Sequence, residues 1–241
     1  MVWGRPKYIA LAALLLLTAS ICASAQGVDV TADFVLAHSG SQSHRSETPP
    51  EVVLWLTPTQ PLPPHSPEPP HPGPFRLVQK DKQFIPHLLV VPTGTNVEFP
   101  NKDPFFHNVF SLFNGKRFDL GLYESGATRS VRFDREGVSY IFCNIHPEMG
   151  AVVLALSTPY YAVSNNHGVV EIHDVPPGSY SVNIWSEKYQ PADDAFRHSV
   201  IQVGSAPVTL GRIELKQAAD PLVQHKNKFG EDYLPSHETH Y

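Results

Sequence analysis

Nine prolines (Pro58, Pro61, Pro63, Pro64, Pro67, Pro69, Pro70, Pro72 and Pro74) fall within seventeen consecutive positions. Proline fixes its own φ and carries no N–H, so this stretch can join neither a helix interior nor a strand ladder, and an extended polyproline-II course is what remains open to it. Residues 58–74 therefore read as a semi-rigid linker between structured parts. The restriction extends beyond the linker. With 24 Pro and 15 Gly in 241 residues and no 3.6-residue apolar period, helices are disfavoured and the pattern predicts an all-β chain.

Strand signals lie on both sides of the linker. Residues 28–37 and 51–56 are strand-like, separated by the polar, Ser-rich residues 39–47. Beyond it, short β runs at 76–79, 84–91, 96–99, 108–110, 127–133 and 138–142 are divided by Asp, Asn, Gly and Pro turns, a spacing that predicts a sandwich or barrel. Residues 151–156 are apolar without interruption, as in a strand buried on both faces or joining two domains. Residues 168–185 read as two alternating strands around the Pro176-Pro177-Gly178 turn, followed by strands at 198–203 and 208–215. About four strands after Leu156 are too few for a closed sandwich, while those at 28–37 and 51–56 lack partners. The expectation is that residues 26–57 pair with the C-terminal part, with the central module inserted between them.

Residues 1–25 have the pattern of a secretion signal: basic Arg5 and Lys7, an apolar stretch at 9–21, and Ala23-Ser24-Ala25 as a cleavage site. The apolar stretch is shorter than the ~20 residues of a membrane-spanning helix, so a periplasmic or secreted chain without a membrane span is expected. Removing Arg5 and Lys7 from 18 basic residues leaves 16 against 23 acidic, a net charge of about −7. That balance argues against nucleic acid as a partner. Cys22 would leave with the signal, and its position after Ile21 does not suit lipid attachment.

Cys143 would then be the one remaining cysteine, in a compartment where cysteines usually pair. It opens the run Cys143-Asn144-Ile145-His146-Pro147-Glu148-Met149. A thiolate, an imidazole and a thioether at this spacing suit copper, and two His with one Cys in a plane and a distant Met form the blue-copper arrangement. His107, in a β-rich run from 97 to 110, is the candidate second imidazole. Pro147 should stiffen the loop, and Phe105, Phe106, Phe142 and Pro147 should form an apolar collar. Glu148 has no acid or base partner nearby and reads as solvated. No His-x-His pair and no Gly-x-Ser-x-Gly elbow occurs, so the chain is not expected to be an enzyme.

The strand Gly-Thr-x-Val-x-Phe-x-Asn at 94–101, then His107-Asn108, then Cys-x2-His-x2-Met together resemble the plastocyanin-like cupredoxins. The short ligand spacing is most similar to the amicyanins. The resemblance covers residues 75–156 and implies a Greek-key sandwich, one type-1 copper held by His107, Cys143, His146 and Met149, and Asn108 as a brace for the ligand loop. Residues 157–215 resemble the carboxypeptidase regulatory-like, transthyretin-like sandwich, with Val170 where that family usually has Phe; its relatives are scaffolds or binding surfaces. The pair resembles two-module proteins labelled methylamine-utilisation-like. The function implied is single-electron transfer with a redox partner protein. Rival expectations are a periplasmic copper carrier or buffer and a metal-free structural or adhesive protein. Residues 216–241 read as a polar, surface-draped tail, whose His225, His237 and His240 could join His65 and His71 in a secondary copper-capture patch.

Overall fold

The computed structural model describes residue 1 and residues 27–37, 51–62, 73–112, 115–218 and 225–233. The expected signal segment beyond Met1, the 39–47 loop and most of the proline run lie outside them. Alternating apolar residues set the strands: β1 (Val28–Leu36), β2 (Val53–Pro58), β3 (Phe75–Arg76), β4 (Val78–Lys80), β5 (Gln83–Ile85), β6 (Leu88–Pro92), β7 (Thr95–Pro100), β8 (His107–Ser111), β9 (Phe118–Tyr123), β10 (Thr128–Phe133), β11 (Gly137–Cys143) and β12 (Gly150–Leu156). After them come β13 (Tyr161–Val163), β14 (Val169–Val175), β15 (Gly178–Trp185), β16 (Tyr189–Pro191), β17 (Val200–Val203) and β18 (Val208–Gln217), with one 3₁₀ turn at Asp194–His198. The protein is all-β and is built from two sandwiches.

One sandwich joins strands from both ends of the chain. Its sheets run β14-β1-β18-β16 and β13-β2-β15-β17. β1 is antiparallel to β14 and parallel to β18, and β2 is antiparallel to both β13 and β15. The period-2 pattern of β1 turns Val30, Ala32 and Phe34 inward, where they meet Leu54 and Leu56 of β2 and Ile172, Tyr180, Val182, Ile213 and Leu215. Each fully buried Val, Leu or Phe contributes about 1.5–3 kcal/mol, so the two N-terminal strands are structural members of this sandwich.

The central sandwich has sheets β10-β7-β3 and β6-β12-β11-β8-β9, with β4 and β5 as a small hairpin. Leu77, Val97, Phe99, Val109, Phe133, Ile141 and Val153 fill its core. β12 explains the uninterrupted apolar run: Ala151, Val153 and Ala155 face that core. Leu154 and Leu156 face the other way and pack with Val53, Trp55, Tyr161 and Trp185 of the first sandwich, beside Leu88, Val90 and Val138. Both faces of β12 are thus covered.

Several boundaries differ from the sequence reading. The run at 84–91 is two strands, because Pro86 has no N–H to give a ladder, and 76–79 is divided between β3 and β4 at the buried Leu77. The strand placed at 198–203 begins at Val200, since Asp193 caps a 3₁₀ turn ahead of it by accepting from the Ala195 N–H. β9, β13 and β16 are additional strands. Asp119 and Gly121 interrupt the apolar pattern of β9, and Pro191 in β16 is tolerated at a sheet edge.

Candidate metal centre

β8 and β11 are neighbours in the five-stranded sheet, with Val109 opposite Cys143 and Phe110 opposite Phe142. This pairing brings His107, the first residue of β8, to the end of β11, where Cys143 is the last residue. The return loop to β12 is closed tightly. The Met149 N–H donates to the His146 carbonyl at 3.1 Å, the Cys143 N–H to the Met149 carbonyl at 3.3 Å, and the Asn144 N–H to the Asn108 carbonyl at 3.3 Å.

Three donor atoms converge there. Cys143 Sγ lies 3.6 Å from His107 Nδ1 and 3.5 Å from His146 Nδ1, and the two nitrogens are 3.1 Å apart. The circumcentre of that triangle is about 2 Å from each atom, close to the bond lengths of a first-row metal to imidazole nitrogen and thiolate sulfur, about 2.0–2.1 and 2.3 Å for zinc. His107 and Cys143 are fully buried and His146 is half-buried. Met149 is fully buried in the same core cluster as Cys143, at the far end of the loop.

Surrounding groups prepare the three donors. His107 Nε2 donates to Asp103 Oδ2 at 2.8 Å, so in the neutral ring Nδ1 carries the lone pair. Asp103 is itself buried and accepts from the Asp81 and Lys82 N–H groups at 2.6 and 3.0 Å. Those two residues have φ of +53°, the left-handed hairpin turn that aims consecutive N–H groups the same way. Burial would raise the Asp103 carboxyl, but these hydrogen bonds outweigh it and hold it below the usual carboxylate range. Burial pushes the Cys143 thiol up, and N–H groups of Asn108, Ile145 and His146 at the sulfur oppose that rise. Burial, then the adjacent His107 ring, lowers His146, which favours its neutral imidazole.

The expected collar is only partly present. Phe105 packs against both imidazoles, with centroids 5.2 and 5.6 Å away, while Phe106 is 51% and Ile145 46% exposed. Pro147 and Glu148 are also exposed. Phe142 is not part of the collar: alternation along β11 turns Cys143 into the core and its neighbour to the opposite face of the sheet. There Phe142 stacks on His225, centroids 4.1 Å apart at 12°.

Asp103, Asp119 and the docked tail belong to this centre although the sequence reading singled out none of them for it. The Asn108 side chain donates to Asp119 Oδ1 at 2.7 Å, and Lys228 Nζ reaches Asp119 Oδ2 at 2.8 Å. Tyr233 Oη donates to the Cys143 carbonyl at 3.0 Å. His65, His71, His237 and His240 lie outside the described residues. A second grouping of Asp29, Glu171 and His173 sits largely exposed on the other sandwich.

No protein-family model matches the chain, and comparison with curated proteins returned no match. Among solved structures the chain is similar to a Cu-containing nitrite reductase from Thermus scotoductus SA-01, at 24% identity and TM-score 0.34, over 36% of this chain and 23% of that one. It is also similar to a purple cupredoxin from Nitrosopumilus maritimus, at 26% identity and TM-score 0.31, over 34% of this chain and 99% of that one. A variant of amicyanin in the Cu(I) form matches at 18% identity and TM-score 0.33, over 36% of this chain and 87% of that one. Among the described residues, no helix is long and apolar enough to cross a membrane.

Proposed function

We propose that the protein is an exported electron carrier whose His107, Cys143 and His146 would hold one copper ion, with Met149 as a fourth, weaker donor. The observation that carries this reading is the buried triangle of one thiol and two imidazole nitrogens with sides of 3.1–3.6 Å. A soft thiolate with two imidazoles favours copper over harder cations. Bound there, copper supplies one-electron chemistry between Cu(I) and Cu(II).

The chain's own residues supply the rest. Asp103 fixes the His107 ring, backbone N–H groups receive the sulfur's charge, and Phe105 shields the imidazoles from water. The closed loop limits movement between redox states. His146, half-buried and flanked by the exposed Ile145 and Pro147, is the proposed route for electrons, and this apolar surface suits a small, transient contact with a redox partner. The other sandwich serves as a transthyretin-like scaffold completed by β1 and β2. We place the protein among carriers and not enzymes, since single-electron exchange asks for one site and no acid–base pair.

The decisive test is the visible spectrum after Cu(II) loading. An intense thiolate-to-copper band is expected, and Cys143→Ser abolishes it. Colourless protein with stoichiometric copper would overturn electron transfer in favour of copper carriage. Turnover of nitrite by the loaded protein would overturn the carrier assignment, and an unprocessed N-terminus in the producing cells would overturn export.

A further inference from the structure

Residues 142, 143 and 144, the end of β11 and the start of the ligand loop, are each gripped by the same distant segment. The His225 ring stacks on Phe142, Tyr233 Oη donates to the Cys143 carbonyl, and the Lys228 N–H donates to Asn144 Oδ1 at 2.9 Å. A fourth contact reinforces them: Lys228 Nζ holds Asp119, which accepts from Asn108, and the Asn108 carbonyl receives the Asn144 N–H.

The segment has a shape of its own. Asn227 Oδ1 accepts from the Phe229 and Glu231 N–H groups at 2.9 and 3.0 Å, and its N–H donates to the Glu231 carbonyl at 2.9 Å. The 227–231 turn is thus closed on itself between the two aromatic anchors, whose rings meet edge-on at 5.3 Å. Phe110 and Phe142 lie side by side on the face of the sheet turned away from its core, and His225 of the strap covers Phe142 there.

We propose that residues 225–233 form a strap that holds the Cys143–Asn144 end of the ligand loop ready for metal, with Tyr233 as a positioning residue acting through the Cys143 carbonyl. This rests on the copper reading for its consequence, though not for its geometry. A loop that must bind copper without rearranging needs both ends fixed. The His146–Met149 end is tied by its own turn, and the Cys143 end by the strap. The positive end of the Tyr233 O–H dipole also points at the ligand residue, which favours the electron-rich reduced state.

Tyr233→Phe in the full chain removes this hydrogen bond and keeps the ring. In the metal-free protein, amide exchange across 143–149 should accelerate several-fold; after copper loading the midpoint potential should fall and the visible band should shift. Lys228→Ala, which frees Asp119, should accelerate exchange in the same residues while the Tyr233 anchor stays. Faster exchange confined to 225–233, or faster loop exchange with band and potential at wild-type values, overturns the positioning role. A colourless copper-loaded wild type instead overturns the copper reading, and the exchange measurement separates the two failures.

Discussion

At the residue scale, Asp103 decides which nitrogen of His107 faces the centre. Replacing it with Ala leaves the imidazole N–H and the two N–H groups of Asp81 and Lys82 without their acceptor. For the buried His107 ring that loss costs about 1–3 kcal/mol, whereas water can take up the N–H groups of the exposed Asp81 and Lys82, and loss of a carboxylate behind a ligating His typically weakens metal affinity ~10–100-fold. Competition against a chelator should show that loss for Asp103→Ala; an affinity equal to wild type would separate Asp103 from the centre. For the proposed copper centre, Met149→Leu should keep the colour and raise the potential by removing a weak sulfur donor, and an unchanged potential would remove Met149 from the donor set. His107, Cys143 and His146 were readable from residue type and spacing. Asp103 was not, because in Asn101-Lys102-Asp103-Pro104 it looks like one more turn residue. An acidic residue four positions before a candidate ligand His was the available signal.

At the element scale, alternation identified most strands, and the three it missed, β9, β13 and β16, each lie at a sheet edge. β1 was legible because Val30, Ala32 and Phe34 repeat with period 2. β9 was not, because an edge strand can carry Asp119 and a glycine at φ +68° without a second neighbour to satisfy. Nor does a short turn-rich sequence such as 227–231 disclose what it docks against, since its contacts are with residues more than 80 positions away. The burial of β1 yields a prediction. Phe34 is 1% exposed and lies in a strand paired on both sides, so Phe34→Ala should cost about 3–5 kcal/mol, read as a lowered urea midpoint. A fragment of residues 168–215 lacks both β1 and β2 and should be unfolded or aggregate, with its strand edges open; a cooperative melt from that fragment would contradict this.

At the scale of the whole molecule, the seam between the sandwiches is apolar at its centre and titratable at its border. Leu154 and Leu156 meet Val53, Trp55 and Trp185, and beside them His87 bridges to the other sandwich. Its Nε2 contacts Glu187 Oε2 at 2.8 Å and its Nδ1 the Gly150 carbonyl at 3.2 Å. Both partners are acceptors, so only the imidazolium can donate to each. The Glu187 hydrogen bond, against the opposing effect of burial, accordingly raises His87 above its ordinary 6.5. Glu51 is raised as well, by burial and by Glu187 against the attraction of His87. For a group whose pKa is raised on folding, the stabilisation is fully present below the ordinary value and is lost as pH climbs through the folded one. Both groups therefore favour the joined state on the acid side, His87 losing its contribution above pH 6.5. Because His87 is half exposed, the effect should be modest. Thermal melts at about pH 5.5 and about pH 8.5 should show wild type losing more stability over that interval than His87→Gln, which cannot become charged. Equal losses in the two proteins would mean that the His87–Glu187 bridge does not couple the sandwiches.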